Sequence, residues 1–593
     1  MAVQSGNLRS RVVSLATQAV GVSALIAIVL PGAKSESGKR VPTFTKDVAP
    51  ILFKNCTKCH QAGELASNVP LTSYEAVKTR AELIKQKVAR REMPPWPADL
   101  NKSLKFRNEA RLSQQEINTI VNWVNGGAPK GSDAGMIMPQ KSEDGWTHPQ
   151  GLRPDLVISL PVDVQVPATG AIPYVRVLVK VPFLEDHWVA ASQTRPSNPA
   201  VVHHMALTEV ALPDGMTPSD LSQLGKQMGF SGERFETLAV TTPSIPVKPD
   251  MLAIYTPGST FEMYGENGAK LLKGGKNMYV AFNIHYEATG KPQTDRSKIA
   301  LWFTPERPAH QLFRVNGGGE TILANGKELL TDTPGIKAEG TAVAIPPIPP
   351  FAKNYELTGI MGYPEPVTIY QFQPHAHHRC KDFTYTVVYP DGREQVLLSV
   401  PKYDHRWQMA YELETPLQLP AGSKMVVKAH YDNSKMNMHN PAPEKEVYFR
   451  GMNQSWDEMF TPFIQYNVDG EDLSNQENKE SPSPQEQRKP ERTALEIAEV
   501  VGCLEADAGD KWVVTHGSKP AASAAQSTTS AAVTQAEARP LGDQRYRLLG
   551  VSVFNPASHR GEKVAVKGIR IEDSSEIRIN VTSLQKLATS CAQ

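Results

Sequence analysis

Cysteine is scarce in this 593-residue chain. There are five, Cys56, Cys59, Cys380, Cys503 and Cys591, too few for a disulfide-built scaffold. An excess of charge of either sign is missing as well. The chain has 63 Lys and Arg against 62 Asp and Glu, a formal net charge of +1. That balance supplies neither a basic surface for nucleic acid nor a polyanionic tail. Beyond the N-terminal region no apolar run approaches the length of a membrane-spanning helix. Helical periodicity is rare between residues 150 and 460, while 47 Pro and 41 Gly favour strands, turns and loops. A chain this long exceeds one hydrophobic core, so several domains are expected.

The N-terminus pairs Arg9 and Arg11 with the apolar run Ala19–Leu30. The run is short for a membrane span and suits a signal peptide. Residues 1–36 therefore read as a signal peptide, with an uncleaved N-terminal anchor as the alternative. Either way the chain is expected to be periplasmic or otherwise exported, with membrane association only through this segment.

Residues 50–60 read PILFKNCTKCH. CxxCH is the attachment pattern of c-type haem, with thioethers at Cys56 and Cys59 and His60 as proximal ligand. A zinc site would want further cysteines nearby, and none occurs before Cys380. Met93, ahead of Pro94 and Pro95, is the candidate sixth ligand, against simple core packing. A helix should follow, opened by a Ser113/Glu116 capping box and burying Ile117, Ile120, Val121 and Val124. Residues 40–130 thus read as a small all-α cytochrome c-like domain holding one covalently attached haem c.

Histidine carries the second signal. Gln371–Lys381 reads QFQPHAHHRCK, and on an extended strand His375 and His377 leave the same face. His378 points the other way and is the spare. Val201–Leu207 reads VVHHMAL, with His203 and His204; Ala281–Tyr286 reads AFNIHY, with His285; Trp456–Phe460 reads WDEMF, with Met459. Three imidazoles in one group, and two imidazoles with a thioether in the other, describe two copper sites. Imidazole serves either oxidation state and a soft thioether favours Cu(I).

The order and spacing of the HHM, FNIHY, HAHH and DEM pieces resemble the copper type II, ascorbate-dependent monooxygenases, the peptidylglycine alpha-hydroxylating monooxygenase-like family, over roughly residues 150 to 465. The resemblance implies two copper ions facing one another across a solvent-filled cleft. By it, His203, His204 and His285 hold the electron-storing copper, and His375, His377 and Met459 the catalytic, dioxygen-activating one. It further implies a small organic substrate, dioxygen and an external electron donor; the fusion to a haem domain leads to the expectation that the electrons pass through the haem. The sequence departs from the family's carboxylate clamp at Gln373, Thr461 and Phe463, so peptide amidation is not expected.

The expected fold is therefore multidomain. The haem domain is followed by two antiparallel, jelly-roll-like β-sandwiches at 150–320 and 335–465. A linker at 466–492 leads to a small OB-like β-barrel at 493–593, in which Cys503 and Cys591 can pair. The insert Ala521–Ala538 reads as a mobile loop. The functional expectation is an exported haem- and copper-dependent monooxygenase. The alternative is a non-enzymatic haem/copper electron-transfer or copper-binding protein.

Overall fold

The computed structural model describes residues 40–134, 145–217, 247–265, 268–317, 319, 321–332, 346–448, 456–470, 472–475 and 494–591. The signal segment, Pro218–Gln227 (the one fair helical candidate between residues 150 and 460) and most of the linker at 466–492 lie outside them.

Strands dominate, for the reason the alternation suggests. In Met278–Tyr286, Val280, Phe282 and Ile284 fall on one face and are fully buried. This strand lies between Val175–Lys180 and Val202–Ala211, and Val247–Tyr255 completes a four-stranded antiparallel sheet. A second sheet, built around Lys298–Thr304 and His187–Arg195, packs on it. Val177, Met205 and Phe282 from one sheet meet Val189, Ile299 and Leu301 from the other in a shared core.

The following strands repeat the arrangement. Val367–Gln373 lies between Phe463–Val468 and Tyr411–Leu419, with Phe313–Asn316 at the edge. It faces a six-stranded sheet that contains Tyr355–Tyr363, Ser423–Tyr431 and Cys380–Val388. Ile369 and Phe372 pack there against Leu357, Tyr385 and Met425.

Two parts of the expected architecture need correction. First, among the described residues there is no separate all-α cytochrome c domain: they are overwhelmingly β-sheet with a few short helices. The helix Gln114–Asn125 has its Ser113/Glu116 capping box, but its buried stripe is Ile117, Ile120 and Trp123, with Val121 and Val124 only partly covered. The chain just before it is built into a neighbouring β core. Trp96, Ala98 and Phe106 are members of the core around Phe372 and Tyr411. Asp99 N donates to Ser399 O (2.8 Å) and Leu104 N to Leu397 O (2.9 Å). A segment that shares its core with a sheet elsewhere in the chain does not form a domain of its own.

Second, the C-terminal strands do not stand apart as a small barrel. Ile497–Asp507, Lys511–Gly517, Gln544–Leu549, Lys563–Glu572 and Ile577–Ala588, with the edge strand Ala521–Ala522, form a sheet in which Lys511–Gly517 pairs with both Gln544–Leu549 and Ile497–Asp507. Their core takes in Leu323 and Ile360 from the preceding unit. Asn580 Nδ2 donates to Val388 O and Gly422 O, and Glu328 accepts from Ser583 Oγ and Leu584 N. The insert expected to be a loose loop contains the helix Ser530–Glu537. Gln526, within it, is buried and exchanges hydrogen bonds with Gly362.

Cys503 and Cys591 form a disulfide with Cα atoms 5.5 Å apart across a sequence separation of 88. A loop of that size restricts the unfolded chain, so reduction is expected to cost about 2–4 kcal/mol. Urea unfolding with and without reductant checks this; Cys380 is a buried free thiol and should not contribute.

Candidate metal centre

Adjacent residues on a regular strand point to opposite faces, so His203 and His204 should not converge. They do because the pairing of Val202–Ala211 with Met278–Tyr286 shifts register between Val202 and His204. A bulge re-aims a side chain in this way. His204 lies directly across from His285. The ring centroids of His203, His204 and His285 lie 5.4, 5.0 and 5.1 Å apart, pairwise.

His375 and His377 lie just past the end of Val367–Gln373. Their turn is held from several sides. Thr461 donates to His375 O through both N (3.0 Å) and Oγ1 (3.1 Å). The Tyr403 hydroxyl accepts from Ala376 N and donates to Ala376 O. The buried Glu458 carboxylate accepts from the backbone N–H groups of His377, Met459 and Arg379. Met459, half-buried, puts Sδ 3.2 Å from His375 Nε2.

The two sets expected to form separate sites are one group. His204 from the first sheet pair and His375 and His377 from the second offer ligand nitrogens that all lie within 4.8 Å of one another. The His204 and His375 rings are 4.9 Å apart. Two copper sites separated by a solvent-filled cleft are therefore not found among the described residues, which hold one buried three-histidine cluster suited to a single ion.

Hydrogen bonding assigns the lone pairs. Asp457 O can only accept, so His377 Nδ1 (3.2 Å away) carries the proton and Nε2 is left to bind. Gln408 Nε2 donates to His405 O (3.0 Å), which turns its Oε1 toward His375 Nδ1 (2.5 Å) and frees His375 Nε2. The Tyr174 hydroxyl lies 2.9 Å from His204 Nε2 and 3.3 Å from His377 Nε2, between the two. His203 is differently placed. Gln408 Nε2 reaches its Nε2 (3.3 Å) and Glu287 Oε1 lies 3.5 Å from its Nδ1, so both nitrogens are engaged. His285 Nδ1 is buried with no hydrogen-bond partner, a fourth imidazole beside the three.

Electrostatics favours neutral ligands. Burial pushes His203 and His375 down to about 4. Burial, then the neighbouring imidazoles, hold His204, His285 and His377 well below the ordinary histidine value. These rings are unprotonated at neutral pH, so an incoming cation displaces no proton. Burial raises Glu458 to about 7.

Sequence reasoning singled out the five imidazoles and Met459 but missed Tyr174, Gln408 and Glu458. Glu458 stands beside Met459 in the WDEMF piece and could have been noticed there; Tyr174 and Gln408 carry no local signal. Gln373, Thr461 and Phe463 line the support of this site. Phe463 packs 6.1 Å from the His375 ring.

The haem expectation at Cys56, Cys59, His60 and Met93 is also corrected. It required an all-α domain to enclose the ring. The short helices instead close on their own core of Phe44, Leu52, Val77, Ile120 and Trp123, and the chain after Met93 leaves for the β core. Burial raises the Cys56 thiol to about 12 and lifts Cys59 above its ordinary value.

Fold and site together define a β-sheet protein with a buried histidine cluster at the meeting of two sheet pairs. No protein family matches the chain, and no curated protein does. The resemblance to the copper monooxygenases thus has no support beyond the short motifs and is withdrawn. Among solved structures, PNGF-II in a C2 space group is 7% identical, covering 55% of this chain and 66% of that one, at a TM-score of 0.24. An uncharacterized protein from Listeria monocytogenes EGD-e is 16% identical, covering 32% and 14%, at 0.13. Procruciferin, the 11S globulin from Brassica napus, is 9% identical, covering 55% and 89%, at 0.12. Likenesses this slight carry no inference about fold or function.

Proposed function

We propose that the protein is a non-enzymatic metal-binding protein that holds one transition-metal ion on His204, His375 and His377. The observation that carries this is the convergence of three buried imidazoles, within 4.8 Å at their ligand atoms, from elements far apart in sequence. Nitrogens bound to one ion at about 2.0–2.1 Å lie closer together than that bound, so a modest contraction brings them into place. Imidazole sets suit copper, zinc, iron and nickel, and the Met459 thioether beside His375 favours Cu(I) among them. The bound ion would supply a fixed positive charge that ties the two sheet pairs together. Tyr174 caps the cluster, Gln408 and Asp457 O orient the rings, and Glu458 anchors the His375–Arg379 turn.

The haem- and copper-dependent monooxygenase reading, with its oxidoreductase and electron-transfer roles, is set aside, since it needed two copper sites and a haem domain. The Cys503–Cys591 disulfide supports an exported protein, because disulfides persist in oxidising compartments. Among the described residues no helix is long and apolar enough to cross a membrane.

Metal analysis of the purified chain tests the proposal. Binding of one ion at the buried cluster is expected to raise the unfolding temperature. Gln408→Ala, which removes the hydrogen bond that orients His375 together with those to His203 and His405 O, should weaken that binding about 10–100-fold. His377→Ala should weaken it further. Unchanged affinity in His377→Ala would overturn the assignment.

A further inference from the structure

A second histidine group lies outside the buried cluster. His378 and His405 have ring centroids 4.2 Å apart, and His405 and His439 are 5.5 Å apart. All three line an open pocket of about 360 Å³. The group continues inward, since His405 lies 5.7 Å from His203, which is itself 5.4 Å from His204. A row of imidazoles therefore runs from the surface to the buried ligands.

The outer end of this row carries two methionines that packing does not explain. Met436 is 81% exposed and Met438 is 93% exposed, on either side of Asn437 and next to the exposed His439. Methionine normally fills core gaps, and exposed it is open to oxidation. Here both stand on a loop that is well tied. Met436 N donates to Ser434 Oγ (3.2 Å) and His439 N to Asn437 Oδ1 (3.0 Å). Asn437 Nδ2 donates to His378 O and Asp432 O, both at 3.0 Å. Asn440 Nδ2 donates to Asn433 Oδ1 (2.9 Å). The backbone thus fixes the loop against the pocket and leaves the two thioethers in water. Thioethers are soft ligands that select Cu(I) over hard cations, and imidazole accepts the same ion.

We propose that Met436, Met438 and His439 form a surface site that captures Cu(I) and passes it by way of His405 to His203, which exchanges its Gln408 hydrogen bond for the ion, and so toward the buried cluster. The inference rests on the reading of that cluster as a metal centre, and adds a second site with its own ligands and a preference for a soft monovalent ion. Transfer is a ligand exchange with no redox step: each Cu–S or Cu–N bond broken outside is replaced by a Cu–N bond further in. Tethering turns a bimolecular capture by the buried site into a short intramolecular hand-over.

The test titrates the full chain with Cu(I) under anaerobic conditions, with bicinchoninate as coloured competitor. Wild-type protein is expected to show a tight class and a weaker class of binding. The triple variant Met436→Leu, Met438→Leu, His439→Ala should lose the weaker class. It should fill the tight class at least about tenfold more slowly, with the end point unchanged. All three side chains are exposed, so the variant should fold. His377→Ala should lose the tight class and keep the weaker one. A triple variant with both classes and the wild-type filling rate overturns this proposal. If His377→Ala keeps both classes while the triple variant loses one, the surface site stands and the buried assignment falls.

Discussion

Acidifying the metal-free protein from pH 7 to pH 5 is expected to lower its stability by on the order of 5–10 kcal/mol. The sign follows from the buried imidazoles. His203, His375 and His378 are held at about 4, His405 at about 2, and His204, His285 and His377 well below the ordinary 6.5. Between those values the unfolded chain binds protons that the folded chain refuses, so stability falls as pH drops through 6.5. Each such ring contributes about 2 kcal/mol over this interval. Two carboxyls oppose the loss. Burial raises Glu458 and Glu328 to about 7, so each penalises the folded state less as it protonates on acidification. His430, raised to about 9 by Asp382 and then Glu356, has its contribution fully present only below 6.5 and adds under about 1 kcal/mol here. The imidazoles win by number. Chemical denaturation of the apoprotein at pH 7, 6 and 5 checks this. One bound ion should shift the loss to lower pH, because a ligated nitrogen cannot take a proton. Constant stability across the range would mean that the rings are not held neutral.

Glu262→Ala is expected to destabilise the protein by about 3–5 kcal/mol. Arg314 is fully buried, and its Nη1 and Nη2 donate to Glu262 Oε2 (3.1 Å) and Oε1 (2.6 Å). Nη2 also donates to Gln371 Oε1 (2.8 Å). Removing the carboxylate leaves a guanidinium that cannot shed its proton and has no water to replace its partner. The pair also bears on the metal centre. Glu262 belongs to the first sheet pair, while Arg314 and Gln371 lie on the two strands of the second that flank Phe463–Val468, four residues ahead of His375 in the case of Gln371. The variant should therefore bind metal more weakly as well as unfold more easily. Replacing Glu262 and Arg314 together with apolar residues of similar volume should recover most of the stability but not the alignment. Urea unfolding and metal titration on both variants separate the two effects.

What the sequence by itself determined is local. Period-two alternation placed the strand through His285 and its buried row of Val280, Phe282 and Ile284, because pleat geometry is a property of adjacent residues. The Ser113/Glu116 box marked a helix start for the same reason. Side-chain chemistry singled out His203, His204, His285, His375, His377 and Met459 as soft or borderline ligands without any knowledge of the fold. Their grouping was decided only by tertiary structure. A bulge at His203, invisible in the residue pattern, turned neighbouring histidines toward one point. The packing of two sheet pairs then brought His204 to His375 and His377, which motif spacing had assigned to another site. Residues 96–106 were drawn into a β core, where the Trp96 and Phe106 rings pack 5.0 and 5.3 Å from that of Tyr411. The C-terminal strands lost their independence likewise, through Asn580 Nδ2, Lys424 Nζ and the Glu328 carboxylate, which find their partners across the boundary. Periodicity reports which way a side chain points. Which distant side chain it meets depends on how whole sheets stack, and that depends on buried area and polar partners spread over the entire chain.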